Sequence, residues 1–142
     1  MGYISSATIG GLLRSDGTTA RTVTMGRVSN VADGFVLRET GVTNIALAQT
    51  LTHRTTETKS KDGTILRHSQ TLWQWPYELS TSPGVVAGIV SLSRTGLHVP
   101  SNCPVNVRLD IKAQMSAMAS GNAGTVGFAL VTDPFINGVI PF

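Results

Sequence analysis

Turn residues recur through the first two thirds of the chain at intervals that leave little choice of fold. Ser15-Asp16-Gly17, Asp33-Gly34, Thr40-Gly41, Asp62-Gly63 and Ser82-Pro83-Gly84 each combine a residue that favours tight turns with one that relaxes backbone sterics. Between them lie segments rich in Val, Ile, Thr and Leu: Ala7 to Leu13, Thr18 to Val28, Phe35 to Glu39, Thr43 to Thr56, Thr64 to Trp75 and Val85 to His98. Parallel neighbours need a crossover of about a dozen residues or more. The links here are shorter, so the reading is a set of antiparallel hairpins forming a meander.

After Val99 the pattern changes. VPSNCPVNVRLDIKAQMSAMASG offers Ser101 and Asn102 as helix caps, Pro104 near the first turn and Gly121 as a stop. Val105, Val107, Leu109 and Ile111 alternate as a strand would. Against that, Val107, Ile111, Met115 and Met118 share one face at helical spacing, and the Ala- and Met-rich second half favours a helix. The expected class is α+β, a single domain over 1–142. One helix covers only part of an apolar sheet face, yet the tail FALVTDPFINGVIPF adds still more apolar surface. A second copy of the chain is the simplest cover.

Strand parity divides each segment into two faces. From Asn44 to Arg54, Ile45, Leu47, Gln49, Leu51 and His53 share one side. Ala46, Ala48, Thr50, Thr52 and Arg54 share the other. From Val86 to Thr95, Val86, Val90 and Leu92 oppose Ala87, Ile89, Ser91, Ser93 and Thr95. Between them, Leu66 and Leu72 fall on one parity and Ile65, Trp73 and Trp75 on the other. Placing both tryptophans on the covered face leaves less apolar area in water, and it puts His68, Gln70 and Gln74 on the polar face. That face is then a field of Thr, Ser, Gln and His, edged by Arg54, Lys59, Lys61 and Arg67. One reading is an ordinary solvated face. The other is a surface for RNA, where short hydroxyls reach phosphates, sugars or base edges and cations neutralise phosphate.

Composition narrows the function classes. Charged residues make up only 13% of the 142 residues and hydrophobic ones 41%, so the chain is globular rather than disordered. Eleven Lys and Arg against eight Asp and Glu give a formal charge of +3, a mild bias towards polyanions. No segment approaches the roughly 18 apolar residues of a membrane span, and MGYISSATIG has no signal-peptide pattern. The expectation is a soluble, unexported protein.

Met1-Gly2 with Ser6 fits the short myristoylation pattern, although Tyr3 crowds the acceptor glycine. Cys103 is the lone cysteine, which excludes an intrachain disulfide and a cysteine zinc cluster. It reads as a packed thiol, with a reactive one at a helix start as the alternative. His53, His68 and His98 have no ligand-like partner at i+3 or i+4. The glycines of SGNAG lack the strand and lysine of a phosphate loop. No enzyme, metal or cofactor is expected.

The layout as a whole resembles the coat proteins of single-stranded RNA bacteriophages of the levivirus type. The points of likeness are the hairpin leading into a five-stranded meander, a proline-bearing loop from Trp75 to Val85 before the last strand, and SNCPVNVRLDIKAQM as the helix start. SGNAGTVGF is similar to the small-residue turn after the family's helix. The resemblance implies an N-terminal β-hairpin, a five-stranded antiparallel sheet and a C-terminal helix lying on the partner's sheet in an interlocked homodimer. Val107, Ile111, Met115 and Met118 would form that dimer interface. It further implies an icosahedral capsid assembled in the bacterial host cytoplasm, packaging single-stranded RNA on its inner sheet face. The RNA contacts it implies are Thr50, Thr52, Arg54, Lys59, Lys61, His68, Gln70, Gln74, Ser91 and Ser93. The base-stacking aromatic of well-known members has no counterpart here, where the matching region offers Ala87 and Ile89. The rival reading is a non-assembling β domain that binds RNA or single-stranded DNA.

Overall fold

β-branched and aromatic residues fit the pleated, half-buried surface of a sheet, and the computed structural model places the strands they form side by side. It describes residues 6–13, 20–31, 34–93 and 95–119, with side chains for 23–29, 34–93 and 95–117. The strands are β1 (Ser6–Leu13), β2 (Ala20–Val31), β3 (Gly34–Glu39), β4 (Thr50–Lys59), β5 (Ile65–Tyr77), β6 (Gly88–Ser93) and β7 (Gly96–His98). One helix follows, α1 (Val105–Ala119). All seven strands are antiparallel to their neighbours, and their order in the sheet is their order in the chain. The N-terminal hairpin is therefore continuous with the five strands after it.

Three segments differ from expectation. The strand expected from Thr43 begins only at Thr50, because Ile45–Leu47 is a short 3-10 turn capped by the Asn44 side chain, which accepts from the Ala46 N–H at 3.1 Å. Strand parity therefore fails there, and Ile45 is 67% exposed rather than covered. The segment expected as one strand from Val85 to His98 is two, β6 and β7, with Gly96 at φ +139° beside the turn, a conformation other residues rarely adopt. Pro76 belongs to β5, beyond the last β4 partner at Gln74, so its missing N–H costs no bond to β4. The turn at Ser15-Asp16-Gly17, the helix stop at Gly121 and the tail after Gly124 lie outside the described residues.

One face of the sheet carries the core: Val23 and Met25 of β2, Phe35 and Leu37 of β3, Leu51 of β4, Trp73, Trp75 and Tyr77 of β5, and Val90 of β6. Burying a large apolar side chain is worth about 1.5–3 kcal/mol, so this face dominates the stability. The indoles of Trp73 and Trp75 stack with centroids 4.6 Å apart. Each needs an acceptor for its N–H. Trp73 Nε1 donates to Gln49 Oε1 at 3.0 Å and Trp75 Nε1 to Gln114 Oε1 at 3.4 Å, which accounts for two buried glutamines.

Helix α1 covers part of this core. Its first helical bond runs from the Arg108 N–H to the Pro104 carbonyl, so Pro104 sits at the cap and not within the first turn. Ser101 and Asn102 belong to the preceding turn, and the Asn102 side-chain Oδ1 accepts from the Tyr77 hydroxyl. Ile111 is buried, and Val107 and Met115 pack against the same cluster. These three residues of the stripe expected to face a partner are thus turned onto the chain's own sheet. The Met118 side chain lies outside the described residues. Towards the Tyr77 end, helix and sheet enclose an open cavity of about 640 Å³ walled by Glu39, Trp75, Glu78, Val107 and Asp110. Cys103 lies in the core, and burial pushes its thiol up, the opposite of an activated thiolate.

Candidate nucleic-acid interface

On the opposite face the strands present Val36 and Arg38 (β3), Thr50, Thr52, Arg54, Thr56 and Thr58 (β4), and Leu66, His68, Gln70, Leu72 and Gln74 (β5). Ile89, Ser91 and Ser93 (β6) and His98 (β7) share it, as does Pro76 of β5. The registers fix this grouping: Arg38 pairs with Thr50, Thr50 with Gln74, Gln74 with Ser91 and Ser91 with His98. Glu39 and Glu57, the carboxylates of β3 to β7, have the other parity. The carboxylates of β3 to β7 are therefore confined to one side of the sheet, where Lys59 and Arg67 also lie and Glu57 is paired with Arg67 at 3.1 Å. A phosphate approaching the Arg38–Arg54 face meets no strand carboxylate, so the attraction is not cancelled locally.

Part of this face is concave. A hollow of about 350 Å³ is lined by Thr52, Arg54, Gln70, Thr71, Leu72, Ser93 and Thr95. Four of the sequence-predicted residues (Thr52, Arg54, Gln70 and Ser93) meet there, brought together by β4, β5 and the turn after β6. Thr50, Gln74 and Ser91 lie beside it in one cross-strand row.

Behind the hollow, the sheet is braced by His53. Its Nδ1 lies 3.0 Å from Thr71 Oγ1 and its Nε2 2.9 Å from Thr55 Oγ1, while its ring faces that of Phe35 at 5.5 Å. Burial lowers its pKa to about 4, so at neutral pH it is an uncharged strut.

No protein-family model matches the chain, and no curated protein matches it in sequence. The chain is similar to solved structures. One is the Bacteriophage EMS014 coat protein, with 23% identity over 94% of this chain and 98% of that chain and a TM-score of 0.42. At that distance the likeness leaves function to the geometry of the chain itself.

The remaining predicted residues are not gathered at the hollow. Past Arg54 and Trp73, β4 and β5 pair only with each other, because β3 ends its pairing at Arg54 and β6 at Trp73. Residues 56–70 are exposed on both faces of this two-stranded ribbon. His68 sits on the polar face opposite Thr56, one step further out than Arg54 and Gln70. Lys59 is at the far end, on the Glu57 parity, and Lys61 is in the turn. That turn is tightly held. The Asp62 carboxylate accepts from the Ser60 hydroxyl and from the Thr64 N–H, bonds that pull its pKa down to about 2, and Gly63 adopts φ +90°.

Sequence reasoning missed Arg38 and His98. Their parity was readable, but the row they belong to depends on register. The described strand aromatics Phe35, Trp73, Trp75 and Tyr77 are all buried on the core face, so the polar face offers no stacking platform. Among the described residues no group of three His, Cys, Asp or Glu is placed to hold a metal ion.

Proposed function

We propose that this chain is a structural capsid protein that associates with copies of itself into an icosahedral shell and holds single-stranded RNA against its polar sheet face. The observation that carries this reading is the confinement of the carboxylates of β3 to β7 to the side away from Arg38 and Arg54. Arg38 and Arg54 stand on one side among hydroxyls, amides and the apolar Val36, Leu66 and Leu72, and both carboxylates of β3 to β7 stand on the other. With no aromatic on that side, contacts go to phosphate and sugar, which position a strand without reading its sequence. General packaging fits this surface better than recognition of one hairpin.

Assembly is supported by apolar area that the single chain leaves open. Val105 and Leu109 on the outer side of α1, Val85 in the loop before β6, and Leu97 and Val99 at the β7 edge are all more than two fifths exposed and are available to a second copy. Dimerisation belongs to the same proposal. Val107, Ile111 and Met115 make their present contacts with a twin's sheet if α1 is exchanged between copies, and Met118 extends the stripe in sequence.

Gel filtration and electron microscopy of the purified chain, followed by nuclease treatment and absorbance at 260 nm, test both halves. Shell-sized particles retaining protected RNA are expected. Particles free of nucleic acid would remove the RNA half. A monomer or dimer that binds nucleic acid would replace the shell with the non-assembling domain.

A further inference from the structure

Five residues on five adjacent strands stand in one line across the polar face: Arg38, Thr50, Gln74, Ser91 and His98, each the registered partner of the next. With about 4.8 Å between strands, the line is about 19 Å long. It begins and ends in side chains able to meet phosphate, and every position between them is a hydrogen-bonding group. The parallel line one step along the strands is different. Val36 pairs with Thr52 and Thr52 with Leu72, so half of it is apolar.

The path at right angles, along β4, is Thr50, Thr52, Arg54, Thr56 and Thr58. It has one cation, runs beside Leu72 and Leu66, and leaves the sheet for the ribbon. Beyond Arg38, the next position of the row is Gly26 of β2. A glycine there puts no β2 side chain beside the arginine, and the Thr40 methyl lies against that position. Among the described residues no carboxylate shares this face with Arg38 on β3 to β7.

We propose that a single strand of nucleic acid crosses the sheet along this row, perpendicular to the β-strands, with Arg38 and His98 as further contacts at its two ends. The strand's backbone then lies over Thr50, Gln74 and Ser91. Arg54 and the hollow beside it receive the flanking phosphate and sugar. The inference rests on the RNA-binding reading above, and it assigns a direction and two residues that the reading leaves open.

The test is binding of fluorescein-labelled oligo(U) to the full chain, dissociated from shells and freed of packaged RNA so that the polar face is open, by fluorescence anisotropy over a salt series. A neutralised phosphate contact on a single strand contributes about 0.7 to the slope of log K against log salt. Arg38→Gln is expected to lower the slope by about 0.7 and Arg38→Lys to restore it. His98→Gln is expected to weaken binding at every salt concentration. The double variant Thr56→Val, Thr58→Val, which lies off the row, is expected to bind as the parent does. Circular dichroism melting of each variant separates lost contacts from lost fold, and restoration by Arg38→Lys does so independently. An unchanged slope in Arg38→Gln, or a loss in the Thr56, Thr58 variant as large as that in His98→Gln, overturns the crossing path while leaving RNA binding intact. A parent chain that does not bind oligo(U) overturns both the path and the reading beneath it.

Discussion

Gly34 and His53 meet at the tightest point of the sheet. A methyl group at Gly34 would stand 1.8 Å from the His53 carbonyl oxygen and 2.9 Å from the Arg54 Cα. Both are backbone atoms, so nothing flexible can yield. Gly34→Ala is therefore expected to destabilise at or beyond the upper end of the about 1–3 kcal/mol typical of overpacking, measured by urea unfolding. Gly88 sits under the Tyr77 hydroxyl, where a methyl would come to 2.5 Å of a side-chain oxygen, a contact that ring movement relieves in part.

His53 gives the chain an acid sensitivity. Its folded pKa of about 4 lies below the 6.5 of the free side chain, so between those values the unfolded chain binds the extra proton and stability rises with pH. Stability should be complete above about pH 6.5 and fall as pH drops towards 4, by at most about 3 kcal/mol. Unfolding curves at several pH values check this, and His53→Leu should flatten that segment of the profile. A slope unchanged in His53→Leu would assign the acid response to other groups.

At the scale of elements, α1 and the β4–β5 ribbon behave in opposite ways. The helix is fixed by its buried side: Ile111 lies among the sheet residues, and Gln114 joins Trp75 to Asp110 through bonds of 3.4 and 3.3 Å. Ile111→Ala should cost about 2–5 kcal/mol through lost burial and a cavity. Leu109→Ala, on the open side, should stay within about 0.5 kcal/mol in the dissociated chain. Equal losses at the two positions would mean that α1 is not docked as described.

The ribbon has no such support. Beyond Arg54 and Trp73 it is two strands with both edges and both faces open, an arrangement that is marginal alone in water. What holds it is its turn, where Gly63 and the Asp62 bonds set the hairpin, and the Arg67–Glu57 pair at 3.1 Å, a surface contact of small value.

For the molecule as a whole, the decisive property is the separation of an apolar face and a cationic, hydroxyl-rich face by the thickness of one sheet. Reversing the charge on the second face should leave the first alone. Arg54→Glu is expected to reduce the RNA held by purified particles while changing stability by no more than about 0.5 kcal/mol. The 260 to 280 nm absorbance ratio and a thermal melt read the two effects separately. Unaltered RNA content in a folded variant would move the binding surface off this face.

Much of this division was legible beforehand. The alternation Thr50, Leu51, Thr52, His53, Arg54 and the tryptophan parity of β5 sort side chains correctly, because side-chain direction along a strand has a covalently fixed period of two. The helix stripe Val107, Ile111, Met115 is readable for the same kind of reason, its period being set by local backbone geometry. What parity could not supply was register. Whether Arg38 stands opposite Thr50, where β6 turns into β7, and where β4 and β5 lose their neighbours are settled by contacts between residues far apart in the chain. No local pattern encodes the sum of those contacts. The same holds for Ile45 and Leu47, whose alternation reads as strand until the Asn44 cap closes a 3-10 turn. Within the strands, the sequence by itself determined which residues belong to which face. The tertiary structure alone decided which of them stand side by side, because pairing depends on the free energy of the whole sheet and not on the preference of any one segment.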